Sequence, residues 1–222
     1  MDTKPRPGET ALFCRVPDVT GFYLGVKSHT NGPVKWRKPL ACLLVLLLGG
    51  IGGYWWWYQW RDHSQDGPIL AAARRYGVQP SLVKAIVWRE SRFNPKRRGR
   101  AGEIGLMQIR ESAAREWAAA ERLKGFTTEH LLDPGTNTLA GTWYLQKLLK
   151  RYARTDNPLP YALADYNAGR GNVLKWERGS ASSSSEDFVK QIGFPGTKNY
   201  VRAVTRRYEH YRPIFPGKEA GP

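Results

Sequence analysis

The chain has 222 residues, with 35 Lys and Arg against 19 Asp and Glu and a formal net charge of +16, so it holds one ordinary domain plus an appendage. Both cysteines, Cys14 and Cys42, lie in the first 60 residues, and the four histidines are far apart. That excludes a fold built on disulfides and offers no metal-ligand spacing, so neither a metal nor another cofactor is expected. The charge calls for an anionic polymer or an anionic membrane surface as partner; the basic residues are spread along the chain without a nucleic-acid motif, so nucleic acid is not expected.

Residues 1–38 are rich in Pro, Gly, Thr and charge and show no sustained hydrophobic period, which predicts a disordered tail. Leu40 to Trp60 holds 21 residues without a charge. At about 1.5 Å per residue this stretch reaches roughly 31 Å, enough for a bilayer core. Lys35, Arg37 and Lys38 precede it, and Trp55, Trp56, Trp57, Tyr58 and Trp60 crowd its far end. Basic residues on the inner side and aromatics at the outer interface predict a transmembrane helix over 39–60 with the N-terminus inside. A cleaved signal peptide is the rival, but no small-x-small site follows the apolar core. Gly49 and Gly53 make a G-x-x-x-G spacing that suits a weak self-association of two such helices. Residues 61–66 read as a short polar linker, which places the next domain close to the membrane surface.

From Asp66 onward the punctuation is helical. Asp66-Gly67-Pro68 opens one helix, and Pro80-Ser81 opens a second with Leu82, Val83, Ile86 and Val87 on its apolar side. That second helix breaks at Asn94-Pro95, and Gly99, Gly102 and Gly105 let the following loop turn sharply. Ile109 to Leu123 is Ala- and Glu-rich with Trp117 as an anchor, and Gly125 stops it. Asp133-Pro134 starts a helix with Leu139, Trp143, Leu145, Leu148 and Leu149 on one face. Pro158-Leu159-Pro160 starts the next, ending at a Tyr166-Asn167 turn. Asn172 to Trp176 is short, Ser180 to Ser185 reads as a mobile loop, and Thr197 to Tyr211 is a basic last helix. With no alternating strand run after residue 60, the region 67–215 is expected to be all-α, followed by a tail over 216–222.

Glu90 is the acid that stands out. It sits at the C-terminal end of an apolar helix, where the macrodipole disfavours negative charge, and Trp88 and Phe93 are close in sequence. Low polarity and an adverse dipole both raise a carboxyl pKa, as a general acid near neutral pH requires. The plainer alternative is a surface glutamate paired with Arg89 or Arg92.

Glu90-Ser91, Phe93-Asn94-Pro95 and Gly105-Leu106-Met107-Gln108-Ile109 resemble the first two motifs of the soluble lytic transglycosylase (SLT) family. Ala164-Asp165-Tyr166-Asn167-Ala168-Gly169 is similar to its third motif, and Phe194 to Val201 to its C-terminal segment. The resemblance covers roughly residues 68–212. It implies a lysozyme-like helical fold and cleavage of the β-1,4 bond between N-acetylmuramic acid and N-acetylglucosamine in peptidoglycan, without cofactor. The muramic C6 hydroxyl attacks in place of water, giving a 1,6-anhydro ring, so one carboxylic acid suffices where ordinary glycosidases need two. By this resemblance Glu90 is the catalytic acid, Tyr166 holds Glu90 or a glycan oxygen, Asn167 binds the acetamido or backbone groups, and Gln108 and Met107 line the glycan site. Ser91 is a further candidate at the substrate site, read as bracing the helix end in preference to touching substrate. Met107 as core, Gln108 as a loop brace and Asn167 as a helix cap are the corresponding alternatives.

Three positions depart from the family pattern. Gly99 stands where a substrate-contacting Ser is usual, so that hydrogen bond is lost or supplied elsewhere. Gly196 replaces a usual Glu. Asp165 replaces the usual Ala, raising the alternative of a second carboxylate and a hydrolytic muramidase like the goose-type lysozymes; its place beside Tyr166 on a helix instead turns it towards solvent or a basic partner such as Arg170. The expected arrangement is a single-pass protein of the cytoplasmic (inner) membrane, with its catalytic domain on the periplasmic or cell-wall side and glycan strands as partner. A non-catalytic glycan-binding membrane tether is the rival from another class.

Overall fold

The computed structural model describes residues 37–215; of the tail expected over 1–38, residues 1–36 lie outside the described residues and the last two already belong to a helix, and the tail expected over 216–222 lies outside them. Contacts divide the chain into a unit ending at Leu47 and a larger one from Leu48 onward. Helix α1, Arg37–His63, begins in the first unit. It is the one helix among the described residues long and apolar enough to cross a membrane, and Leu40 and Leu43 to Leu48 are all exposed.

The rest is helical: α2 (Asp66–Tyr76), α3 (Pro80–Ser91), α4 (Glu111–Ala120), α5 (Pro134–Arg151), α6 (Pro158–Ala168), α7 (Arg170–Trp176), α8 (Ser185–Gln191) and α9 (Pro195–Tyr211). Short 3₁₀ turns at Thr128–Leu132 and Gly179–Ser182 complete it. Helix starts follow the capping chemistry. Asp133 accepts from the Thr136 N–H at 2.7 Å and Asn157 from the Leu159 N–H at 3.1 Å, each with Pro next in line. Among the described residues no strand forms; only isolated bridges, Arg98 to Ile104 and Ile104 to Ile109, tie the glycine loop to itself.

The core follows from α5, which packs on α2, α4 and α6, while α9 closes over α3 and α6. Ile86, Leu106, Leu145, Leu148, Tyr161 and Phe188 are fully buried there. Trp117 is the anchor expected of it, with its indole N–H donating to the Tyr76 hydroxyl at 2.8 Å and Phe126 packed edge-on.

Two expectations change. The linker over 61–66 is mostly helix: α1 runs through His63 and α2 starts at Asp66, leaving only Ser64 and Gln65 between them. The cause is local anchoring. Asp62 accepts from the Tyr211 hydroxyl at 2.5 Å and pairs at 3.5 Å with Lys84, a lysine 1% exposed that also bonds Asp66 at 2.7 Å. The stretch Ser180 to Ser185 is likewise built into the fold. Ala181 is fully buried, its carbonyl accepts from the Tyr161 hydroxyl at 2.8 Å, and Ser184 caps α8, a helix the sequence reading did not find. Serine there acts as a cap rather than as solvated filler.

One buried amide holds the glycine loop to the core. Asn137 of α5 is fully buried. Its side chain donates to the carbonyls of Ile104 at 2.9 Å and Leu131 at 2.8 Å, and accepts from the Met107 N–H at 2.8 Å. Gly105, at φ +79°, leaves room for it: a Cβ there would lie 2.1 Å from Asn137 Nδ2. Removing a partner strands buried groups, at roughly 1–3 kcal/mol each. Asn137→Ala is therefore expected to lower unfolding stability by at least about 3 kcal/mol, read as a fall in the urea midpoint at constant slope.

Candidate active site

A cleft of about 400 Å³ opens where the end of α3, the glycine loop, Tyr144 of α5 and the end of α6 meet. Glu90 lies in it, on the last turn of α3. Burial pushes the Glu90 carboxyl up to about 7, against a hydrogen bond from Tyr200 and the positive fields of Arg89 and Arg97, with Glu103 adding to the rise. The Tyr200 hydroxyl donates to Glu90 Oε1 at 2.7 Å from the buried face of α9. Desolvation outweighs these opposing influences, so near neutral pH a large share of the carboxyl carries a proton. Glu90 makes no ion pair among the described residues, and the surface-pair alternative with Arg89 or Arg92 is set aside.

The aromatic neighbours of the carboxyl are Tyr200 and Tyr166, and burial raises both phenols well above their ordinary range, the charge on Glu90 adding to the rise. Trp88, expected beside Glu90, lines a different cavity together with Phe93. Residues two apart on a helix point about 200° apart, so sequence proximity misplaced it.

Gln108, Tyr166 and Asn167 join Glu90 in the cleft. Gln108 adopts φ +47°, and its amide donates to the carbonyls of Arg97 at 3.1 Å and Gly105 at 2.9 Å, while Oε1 has no donor among the described residues. The Tyr166 hydroxyl donates to the Met107 carbonyl at 2.8 Å, so the phenol that holds Glu90 is Tyr200. Asn167 is exposed and its Oδ1 accepts from Thr197 at 2.9 Å, tying α6 to the start of α9; the capping position falls to Gly169.

Of the other sequence candidates, Met107 and Ser91 leave the cleft, while Asp165 borders it. Met107 is fully buried, its sulfur 2.4 Å from where a Cβ on Gly141 would stand, so it is a core residue whose backbone alone serves the site. Ser91 is 1% exposed and its hydroxyl donates to the Val87 carbonyl at 3.1 Å, bracing the helix end. Asp165 has a basic partner, but Arg151 rather than Arg170, and it does not face solvent. It is 1% exposed, with the Arg151 guanidinium at 2.5 Å and the Tyr152 hydroxyl at 2.7 Å on the same oxygen.

Sequence reasoning passed over Glu103, Arg110 and Tyr144 in the cleft wall. The Glu103 carboxylate accepts from the Ala101 N–H at 3.0 Å and from two nitrogens of Arg110 at 3.1 and 3.0 Å. Though burial opposes it, these bonds hold the carboxyl below its usual range. The same group explains Gly99: a Cβ there would lie 2.2 Å from Glu103 Oε2. Gly196, by contrast, has nothing within 4 Å of a Cβ, so packing does not demand glycine. The signal that could have found Tyr200 is its position with Val201 and Val204, the buried stripe of an otherwise basic helix.

Comparison with known proteins converges on one family. The family model for the transglycosylase SLT domain matches residues 67–189. A soluble lytic murein transglycosylase of Escherichia coli is 35% identical over 137 residues, 61% of this chain and 21% of the relative. A membrane-bound lytic murein transglycosylase C of Klebsiella pneumoniae is 40% identical over 121 residues, 52% of this chain and 34% of the relative. The chain thus spans a fifth to a third of the length of these curated relatives. Among solved structures, a complex of a 70-kDa soluble lytic transglycosylase with bulgecin A matches at TM-score 0.61 and 30% identity, over 69% of this chain and 25% of that one. An inactive variant of the lytic transglycosylase Slt from Pseudomonas aeruginosa matches at TM-score 0.62 and 25% identity, over 69% of this chain and 24% of that one. The match spans the helices that build the cleft from α2 to α8 and so includes the Glu90 and Tyr166 motifs: the chain belongs to the transglycosylase SLT domain family.

Proposed function

We propose that this chain is a lytic transglycosylase that cleaves the β-1,4 bond between N-acetylmuramic acid and N-acetylglucosamine in peptidoglycan, leaving 1,6-anhydromuramic ends. The observation that carries this reading is a cleft carboxyl raised to neutrality: Glu90 sits near 7, while backbone N–H groups and Arg110 hold Glu103 below its usual range. Asp165, buried and ion-paired, is poorly placed to activate a water.

Glu90 donates its proton to the glycosidic oxygen as the bond to muramic C1 breaks. The carboxylate so formed, steadied by the Tyr200 hydroxyl, takes the proton of the C6 hydroxyl as that oxygen closes on C1. The attacking group is already part of the substrate, so no second base is needed to orient a water. Gln108 and Asn167 offer amide groups to the sugar, and Tyr144 and Tyr166, with ring centroids 5.7 Å apart, give an aromatic surface for it.

The membrane arrangement belongs to the same reading: an anchor over 39–60, a domain over 67–215, and the domain on the wall side of the cytoplasmic membrane. The basic residues Lys35, Arg37 and Lys38 around the start of α1 and the exposed Trp55, Trp56, Trp57 and Trp60 near its end support it. A fusion of a cytoplasm-only fluorescent reporter after Pro222 is expected to stay dark in a bacterial host; bright fluorescence overturns the orientation.

Chemistry is tested on the wall itself. Glu90→Gln is expected to lower turnover by about a hundred- to ten-thousand-fold, the range lost with a catalytic proton donor. Mass spectrometry of wild-type fragments is expected to show anhydro ends, one water lighter than reducing ends; reducing ends alone would point to hydrolysis instead.

Tyr200→Phe removes a hydrogen bond that favours the charged carboxylate, so the Glu90 pKa rises further. Rate carried by the protonated form falls as pH climbs through that pKa. The alkaline limb of the kcat/KM profile should therefore move to higher pH by about one unit or more, since a bond to a charged group contributes roughly 1.5–3 kcal/mol. A limb that stays in place would remove Tyr200 from the assignment.

A further inference from the structure

A second cavity, of about 510 Å³, lies at the junction of α1 with α3, lined by Tyr54, Trp57, Tyr58, Arg61, Trp88 and Arg92 among others. A smaller one, formed by Trp88, Ala203, Arg206, Arg207 and His210, shares the Trp88 ring with it. The guanidiniums of Arg92 and Arg207 lie 3.5 and 4.0 Å from the Trp88 ring centroid, and that of Arg61 lies 5.0 Å from Trp57. Among the described residues none of Arg61, Arg92, Arg206 and Arg207 is in an ion pair. The Trp88 indole N–H is buried and lacks an acceptor among the described residues. Asp62 also borders the larger cavity, but it already faces Lys84 at 3.5 Å and accepts from the Tyr211 hydroxyl. The cluster is rich in donors and short of acceptors. Arg92, besides being partly buried, is pressed by the like charges of Arg207 and Arg89. The backbone holds it there at a cost, with Arg92 at φ 54° and Phe93 at φ 62°, conformations that side chains rarely adopt.

Position decides what such a site would meet. Its aromatic walls come from the same turns of α1 as the exposed Trp55, Trp56 and Trp60, at the end of the apolar stretch. That is the level at which a bilayer carries its headgroups, and aromatic rings with basic side chains there face phosphate on one side and acyl chain on the other. Guanidinium is the side chain best shaped to grip a phosphate with two parallel donors. We propose that the Arg61, Arg92 and Arg207 cluster around Trp88 is a binding site for the phosphate of an anionic phospholipid, separate from the Glu90 cleft. The proposal rests on the membrane reading of α1 but not on the glycan chemistry.

The test uses the full chain purified in a neutral detergent and offered equal amounts of phosphatidylglycerol and phosphatidylcholine with identical acyl chains. Native mass spectrometry is expected to find phosphatidylglycerol retained in at least about tenfold preference, consistent with two or more arginines at a lipid surface. Arg92→Asn, a residue that accepts the left-handed backbone, and Arg207→Gln, which suits a helix interior, should each cut the preference about fivefold. Arg154→Gln, the same charge loss on an exposed turn elsewhere, should leave it unchanged. Equal retention of the two lipids, or an equal drop with Arg154→Gln, overturns the site. Displacement of the lipid by millimolar inorganic phosphate would also overturn it, in favour of a free-anion site. A chain that stays soluble without detergent would instead sink the membrane reading beneath it, and that outcome is scored before any lipid is added.

Discussion

Three hydrogen bonds made by one buried amide hold the glycine loop that borders the cleft in place. Asn137 reaches from α5 to Ile104, Met107 and Leu131, and its side chain fills the space that glycine leaves at position 105. With Met107 fixed, its carbonyl can receive the Tyr166 hydroxyl, so the end of α6 is keyed to the loop and not merely packed beside it. Gln108 then falls into the cleft with a left-handed backbone. Buried polar groups are costly unless every partner is present, and here each one is. The same penalty that would punish a missing bond gives the loop a single conformation.

Around Glu90 the structure sets two influences against each other. Burial favours the neutral acid; the Tyr200 hydroxyl and the nearby arginines favour the carboxylate. Burial alone would give an acid reluctant to let its proton go, and the hydrogen bond alone would leave nothing to donate. The balance near 7 suits a group that must first give a proton and then take one back. Because Tyr200 comes from α9 and Glu90 from α3, that balance depends on the packing of two helices separated by more than a hundred residues of chain.

What could be read from the sequence was what local chemistry dictates. Pro and Asp mark the starts of α3 and α5, an uncharged stretch marks α1, and an acid at a helix end marks Glu90. What escaped were facts set by packing across the chain. Nothing near Tyr200 says that its hydroxyl meets Glu90, and nothing near Asp165 says that its basic partner is Arg151 of another helix and not Arg170. Met107 sits in a motif beside the cleft, yet Gly141 opens a hole on the core side that draws its side chain inward. The serine run looked mobile because composition does not reveal that Ala181 is buried under Tyr161.

Gly99 and Glu103 behave as one unit. The carboxylate at 103 occupies the volume that any side chain at 99 would need, and its bonds to Ala101 and Arg110 keep it there. Restoring the usual serine at 99 alone would force two groups into one space, while shortening Glu103 alone would leave a gap and an unpaired arginine. The effect of a change at either position therefore depends on the residue at the other.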